Sequence, residues 1–255
     1  MSSRPKLILV HGWGLNSAIW EPVIERLADD FECIGVDLPG YGSRTAIPSC
    51  TSLESLAKDL IEQSDAGAHC CAWSLGGMAA IQAALMRPGH FKSLSLVCTT
   101  ARFVRDDNWS IGMDMAIFQQ FADQLTANYQ TGMHRFLLLQ AGAGPQARKL
   151  ANQAAQMLMT HPSPSPETLQ SGLDILRNAD LRNQIAALQV NTQIISGRRD
   201  RIVHPEAGKY LQQSLPSCQF ALLNSGHAPH LSMPDEFGAL LKKHLVGAEA
   251  ELCTS

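Results

Sequence analysis

No stretch of this chain is apolar for long enough to cross a membrane. Hydrophobic residues make up 45% of it, but polar side chains interrupt them well before the ~20 in succession that a spanning helix requires. No leader is visible either: Met1-Ser2-Ser3-Arg4-Pro5-Lys6 runs straight into an apolar strand pattern, which leaves no room for a signal peptide, so a cytoplasmic protein is expected. An excess of positive charge is missing as well. With 20 Lys and Arg against 23 Asp and Glu the net charge is −3, whereas a surface that neutralises phosphates needs the opposite balance, which argues against a nucleic-acid partner. The seven cysteines, at 33, 50, 70, 71, 98, 218 and 253, show no metal-ligand spacing and are odd in number. They read as reduced, mostly buried thiols, not as a disulfide framework or a metal site. Charged residues are only 17% of the 255, a composition that excludes a disordered or fibrous chain and suffices for one sizeable core.

What is present is an alternation of short apolar runs with amphipathic stretches, which predicts an α/β fold with a mostly parallel sheet and helices on both faces. Lys6 to Val10 is the first strand, Ala18 to Leu27 a helix with Ile19, Val23 and Leu27 on one face, and Phe31 to Val36 a strand that ends in the turn-rich Asp37-Leu38-Pro39-Gly40-Tyr41-Gly42. Thr51 and Glu54 form a capping box for a helix through Ile61. Further strands are expected over His69 to Trp73, Ser93 to Cys98, Thr192 to Gly197 and Phe220 to Leu223, with a last helix from about Asp235 to Leu245 and a loose tail from Gly247.

Between Thr100 and Asp180 strand patterns are absent. Phe118, Phe121, Leu125 and Tyr129 share one helical face, Leu169, Leu173 and Leu176 another, and Ser165-Pro166-Glu167 is a helix start with Pro in the first turn. Residues 101–180 therefore read as a helical cap inserted into a core built from 1–100 and 181–255. Five of the nine methionines (113, 115, 133, 157 and 159) fall in it, and such flexible side chains suit either the wall of an apolar substrate tunnel or the gaps between cap helices. From Gln124 through Pro166 there is no Asp or Glu, while Arg135, Arg148 and Lys149 occur. This local positive patch is either an ordinary solvated face or a means of steering an acidic partner.

The chemistry concentrates at three strand ends. Ala72-Trp73-Ser74-Leu75-Gly76-Gly77 closes an apolar run with a Ser between small residues and opens a helical pattern, the layout of a nucleophile elbow with Ala72 in place of the usual first Gly. The competing reading makes Ser74 a helix cap. Downstream, Asp200 lies on the loop after Thr192–Gly197 and His227 on the loop after Phe220–Leu223, the order Ser, acid, His. Ser needs an imidazole to take its proton and a carboxylate to fix that imidazole's tautomer, so Ser74, Asp200 and His227 are the expected catalytic triad. Asp37 precedes the Ser and has the wrong order for the acid. After the first strand, His11-Gly12-Trp13-Gly14 supplies a loop whose backbone can approach a substrate closely, and the amides of Trp13 and Leu75 are the expected oxyanion donors. His11 carries no ligand spacing and is expected to be structural.

These motifs, with the cap segments Arg135-Phe136-Leu137-Leu138-Leu139-Gln140 and Gly172-Leu173-Asp174-Ile175-Leu176 and with His227-Ala228-Pro229, resemble the BioH family, the pimeloyl-carrier-protein methyl ester esterases of biotin synthesis. The resemblance covers nearly the whole chain. It implies an α/β-hydrolase fold, hydrolysis of a methyl ester on an acyl carrier protein, and substrate contacts from Trp13, Ser74, Leu75, Phe136, Leu137, Leu138, Leu139, Gln140 and His227. Family members bind the carrier protein through cap arginines; here Arg135 and Arg148 match, Thr131 and Asn152 stand at the other positions, and Lys149 is a basic neighbour. The family's leading strand hairpin is expected to be missing or very short. No cofactor or metal is implied. A carboxylesterase for small soluble esters would share the triad and differ in the cap, and a non-catalytic binding module on the same scaffold is the reading from another class.

Overall fold

Six strands, β1 (Lys6–Val10), β2 (Glu32–Val36), β3 (Ala68–Trp73), β4 (Phe91–Val97), β5 (Asn191–Gly197) and β6 (Cys218–Leu223), form one sheet in the order β2-β1-β3-β4-β5-β6. Every pairing is parallel. All six residues of β3 are buried, as are all but one in each of β4 and β5; strands buried on both faces need helices on both sides. The computed structural model describes residues 4–127, 129–141 and 145–252. Its helices are α1 (Glu21–Leu27), α2 (Leu53–Glu62), α3 (Leu75–Met86), α4 (Met115–Ala127), α5 (Tyr129–Ala141), α6 (Pro145–Leu158), α7 (Pro166–Asn178), α8 (Pro205–Ser214), α9 (Pro229–Ser232) and α10 (Pro234–Leu252). Four of them, α4 to α7, lie between β4 and β5 in the chain, where strand patterns are absent.

Several boundaries depart from expectation for local reasons. The first helix is split: Ser17–Trp20 is a 3₁₀ turn capped by Asn16, and the α-helix begins only at Glu21. Pro22 lacks the N–H that a helix interior needs and is tolerated only in a first turn. The box on α2 is formed by Ser52 and Ser55, one residue after the expected Thr51 and Glu54, and Glu54 pairs instead with Lys58 at 2.8 Å. The last helix continues through Gly247 to Leu252 because its far end is anchored: Ala248 is buried, and Glu249 reaches His69 at 2.8 Å and Lys92 at 2.6 Å. Cys98, expected at the end of β4, lies just outside it with φ 43°. Cys253 lies outside the described residues, as do the side chains of Leu125 and Tyr129; Phe118 of the same predicted face is fully buried.

The strand order places the chemistry. From β1 the chain turns first to β2 on one side and then to β3 on the other, so a crevice opens between the carboxyl ends of β1 and β3. In register, Val10 pairs with Ala72. The next residues, the Gly12 loop and Ser74, are therefore carried to the same point.

Candidate active site

Ser74 occupies the turn between β3 and α3 with φ 56° and ψ −118°. Its N–H donates to the Val97 carbonyl at 2.9 Å and its carbonyl accepts from Thr99 Oγ1 at 2.7 Å. These bonds from β4 and its exit loop hold a backbone conformation that an L-residue disfavours. The side chain makes no capping bond to α3, which removes the helix-cap reading: the hydroxyl is held up by strain and left for other use. The close packing that the elbow demands falls on two glycines. A Cβ on Gly76 would overlap the His11 carbonyl oxygen, and one on Gly12 would lie 3.2 Å from Ser74 Cβ. The start of α3 and the loop after β1 thus lie backbone against backbone. Leu75 opens α3, whose first-turn N–H groups have no carbonyl within the helix to bond.

His227 is fixed at three points. Its N–H donates to the Gln140 carbonyl at 3.0 Å, its carbonyl accepts from Trp73 Nε1 at 2.8 Å, and its Nδ1 meets Asp200 Oδ2 at 2.7 Å. Asp200 is held in turn: its Oδ1 accepts the N–H groups of Ile202 at 2.8 Å and Val203 at 3.0 Å. Both side chains are fully buried. With an ionised Asp200 accepting, Nδ1 carries the proton and Nε2 is the free base. That Nε2 is buried and has no hydrogen-bond partner among the described residues.

Cys98 is a neighbour that sequence reasoning passed over. One of its φ angle's few companions is Ser74: these two are the non-glycine residues with positive φ among the described residues. The Cys98 sulfur, an Asp200 oxygen and a His227 ring nitrogen lie within 4.8 Å of one another. Burial, reinforced by the Asp200 charge, holds the thiol well above its ordinary pKa, so it stays protonated. Three such ligands invite a metal, but the 2.7 Å between His227 and Asp200 suits a shared proton; two ligands on one zinc ion, each at about 2.0–2.2 Å, sit farther apart. A buried Cys after a strand offers no pattern that would have marked it in advance.

Other expected residues divide by what they touch. His11 accepts the Leu38 N–H on Nε2 at 3.0 Å and donates from Nδ1 to the Gly12 carbonyl at 2.7 Å, so it ties two loops together. Asp37 accepts from Ser17 N, Ser43 N and Ser43 Oγ at 2.7 to 2.8 Å and organises its own loop. The insertion reaches the site through aromatic contacts: the Trp13 ring meets Phe136 at 5.4 Å and Phe121 at 5.5 Å, both edge-on, and Trp13 Nε1 donates to the Leu169 carbonyl at 3.0 Å. Phe136, Leu137 and Gln140 are buried and Leu138 is partly so. Leu139 is 47% exposed, since a helix advancing 100° per residue cannot turn five consecutive side chains inward. The methionines also part company. Met133 packs beside Gly14, whereas Met159 is 83% exposed. Arg135, Arg148 and Lys149 are exposed on α5 and α6.

The alpha/beta hydrolase fold family matches residues 5–234. A pimeloyl-[acyl-carrier protein] methyl ester esterase of Nitrosospira multiformis is 36% identical over 93% of this chain and 93% of its own length. The protein of the same name from Methylococcus capsulatus is 39% identical over 81% of each. Among solved structures, an esterase from Exiguobacterium antarcticum superimposes with a TM-score of 0.85 at 22% identity, covering 96% of this chain and 92% of that one. The enol-lactonase of Burkholderia xenovorans gives 0.83 at 20%, with coverage of 96% and 92%. The chain belongs to the alpha/beta hydrolase family and, within it, to the pimeloyl-[acyl-carrier protein] methyl ester esterases.

Proposed function

We propose that this protein is a serine carboxylesterase that removes the methyl group from pimeloyl-acyl carrier protein methyl ester, freeing the carboxylate for biotin synthesis in the cytoplasm. One observation carries the reading: a chain alignable to esterases of that name over 93% of both lengths also presents a strained, uncapped Ser74 at the same sheet edge as a His227 whose Nδ1 is held by Asp200.

In this reading His227 Nε2 takes the Ser74 proton as Oγ forms its bond to the ester carbonyl carbon. Asp200 keeps the tautomer and stabilises the imidazolium. The Trp13 and Leu75 amides hold the oxyanion, a contribution of a few kcal/mol in such sites. Collapse breaks the bond to the methoxy group, which leaves as methanol with the proton from His227. Water, deprotonated by His227, then attacks the acyl-enzyme; the carboxylate leaves and Ser74 Oγ recovers its proton. Residues 101–180 act as a cap over this centre, with Phe136, Leu137, Leu138 and Gln140 against the acyl chain. Arg135, Arg148 and Lys149 give the cap a positive face toward an acidic carrier protein.

The test is hydrolysis of methyl pimeloyl-acyl carrier protein by purified enzyme, followed by methanol release, together with rescue of a biotin-requiring strain that lacks its methyl ester esterase. Release of methanol and growth without biotin are expected. Turnover of small free esters with neither would make this a general carboxylesterase.

A further inference from the structure

The contacts behind His227 do not end at Asp200. A carboxylate has about four lone-pair sites, and three donors occupy this one: the Ile202 and Val203 N–H groups on Oδ1, and the His227 Nδ1–H on Oδ2. The Asp200 side chain is fully buried, so its remaining site faces protein. Cys98 lies against it. The Cys98 sulfur, an Asp200 oxygen and a His227 ring nitrogen are within 4.8 Å of one another. Burial and the Asp200 charge keep the thiol protonated, and a hydrogen bond to that carboxylate adds to them.

The backbone at Cys98 is arranged to put a side chain there. Its N–H donates to the Ile195 carbonyl of β5 at 2.8 Å, which carries the bonding between β4 and β5 one residue past the end of β4. The chain then takes φ 43°, a region where a β-carbon is crowded and where glycine sits without cost. Such strain persists only where the surroundings over-determine it, and what a glycine would forfeit at this point is the thiol. The loop that carries Asp200 leaves the neighbouring strand β5, so the turn at Cys98 delivers the sulfur beside the acid.

We propose that Cys98 is a positioning residue for the acid: its S–H donates to the Asp200 carboxylate, fills the fourth site, and sets how much of that charge is left to hold the His227 imidazolium. This rests on the reading of Ser74, Asp200 and His227 given above. A thiol is a weak donor. It fixes the carboxylate's orientation while drawing off little of its charge, whereas a hydroxyl at the same place would bond more strongly and leave the imidazolium less stabilised. Among the described residues, the titratable groups that face His227 are Asp200, Cys98 and, from α9, His230, which burial keeps neutral. The carboxylate and its donors therefore govern the ring.

The experiment follows kcat/KM for a short-chain chromogenic ester against pH in wild type, Cys98→Ala and Cys98→Ser, and reads the midpoint of the acid limb, where protonation of His227 stops the reaction. Both replacements keep a β-carbon at the strained turn. The midpoint does not depend on the fraction of enzyme that folds, so a loss of stability lowers the curve without moving it. Cys98→Ala removes a donor from Asp200 and should move the midpoint up by about half a pH unit, and Cys98→Ser should move it down by about as much. Each shift reads as about a threefold change in rate on the limb. Midpoints in any order other than Ala above wild type above Ser overturn the proposal, and the triad stands as long as Asp200→Asn abolishes the rate. A rate and an acid limb that survive Asp200→Asn remove the triad reading and the role of Cys98 with it.

Discussion

The carboxyl edge of the sheet and the helical insertion that meets it at Gln140 and His227 are held by different forces. At the sheet edge each reactive group is pinned by polar bonds of fixed direction: Ser74 by the Val97 carbonyl and Thr99, Asp200 by two amides, His227 by Gln140, Trp73 and Asp200. The insertion touches the site mostly through rings, Phe121 and Phe136 against Trp13, with polar tethers from Trp13 to the Leu169 carbonyl and from the His227 N–H to the Gln140 carbonyl. Polar bonds have narrow geometry, and apolar contacts tolerate sliding. The sheet edge is therefore built to hold atoms in place for a reaction. In the proposed function the insertion accepts the flexible acyl chain. Substitutions on the two sides should separate accordingly, in the size of their effect and in the kinetic parameter they move.

The largest effect belongs to Ser74. Ser74→Ala should lower turnover by roughly 10⁵- to 10⁶-fold and leave the fold intact, since the strained turn is held by backbone bonds that Ala keeps. A serine-directed phosphonylating inhibitor should label Ser74 in the wild type, read by peptide mass spectrometry. A label on any other residue removes the assignment.

Asp200→Asn comes next. Asn can still accept the Ile202 and Val203 amides through one oxygen, but it presents an NH₂ to His227 Nδ1. The ring must then carry its proton on Nε2, where it cannot take one from Ser74, and turnover should drop about 10⁴-fold if the serine-protease precedent transfers. Unchanged circular dichroism with near-normal turnover would mean that another carboxylate orients His227.

The same contrast governs what the sequence made legible. The positions of Ser74, Asp200 and His227 at one sheet edge could be read because each sits just past an apolar run, and a parallel sheet delivers all such positions to one edge. Strand pairing then does the rest without further specification, as Val10 opposite Ala72 shows. In the insertion the helices themselves were visible from Leu169, Leu173 and Leu176, which are buried together. Which residues they turn toward the site was not: Leu139 and Phe136 stand three apart in one helix and face solvent and Trp13 respectively. Periodicity gives a face only when the partner is known. The extension of α10 past Gly247 was hidden for the same reason, since its cause is Glu249 bonding His69 and Lys92, remote in sequence. Nor does any local pattern bring Cys98 against Asp200.

On the insertion side, Phe136→Ala removes a buried ring from the Trp13 cluster. It should cost about 3 kcal/mol of stability and raise KM for the pimeloyl substrate by about tenfold, with a smaller change in kcat, because it loosens acyl binding without touching the proton path. Leu139→Ala, on the exposed side of the same helix, should change stability by no more than about 0.5 kcal/mol. Denaturant titration and steady-state kinetics on the pair test whether the helix has one functional face. Equal losses from both would place the substrate elsewhere.

The smallest effect tests a gap in the polar order of the sheet edge. His230 is fully buried between Trp20 and Trp73, with ring centroids 4.5 Å from each, and neither ring nitrogen has a hydrogen-bond partner among the described residues. Burial, with His227 adding to it, pushes its pKa down to about 3 from the ordinary 6.5. Between those two values the unfolded chain binds a proton that the folded protein refuses. Stability is therefore unaffected by this group above pH 6.5, falls as the pH drops below it, and stops falling near pH 3. At one and a half units below 6.5, pH 5, the loss from this residue is about 2 kcal/mol. His230→Phe keeps a ring between the tryptophans and titrates nothing, so its urea midpoint should decline less than that of the wild type between pH 7 and pH 5. Parallel curves for the two proteins would show that the ring gains a proton in the folded state after all, and the polar order of this edge would then extend one residue further than the triad.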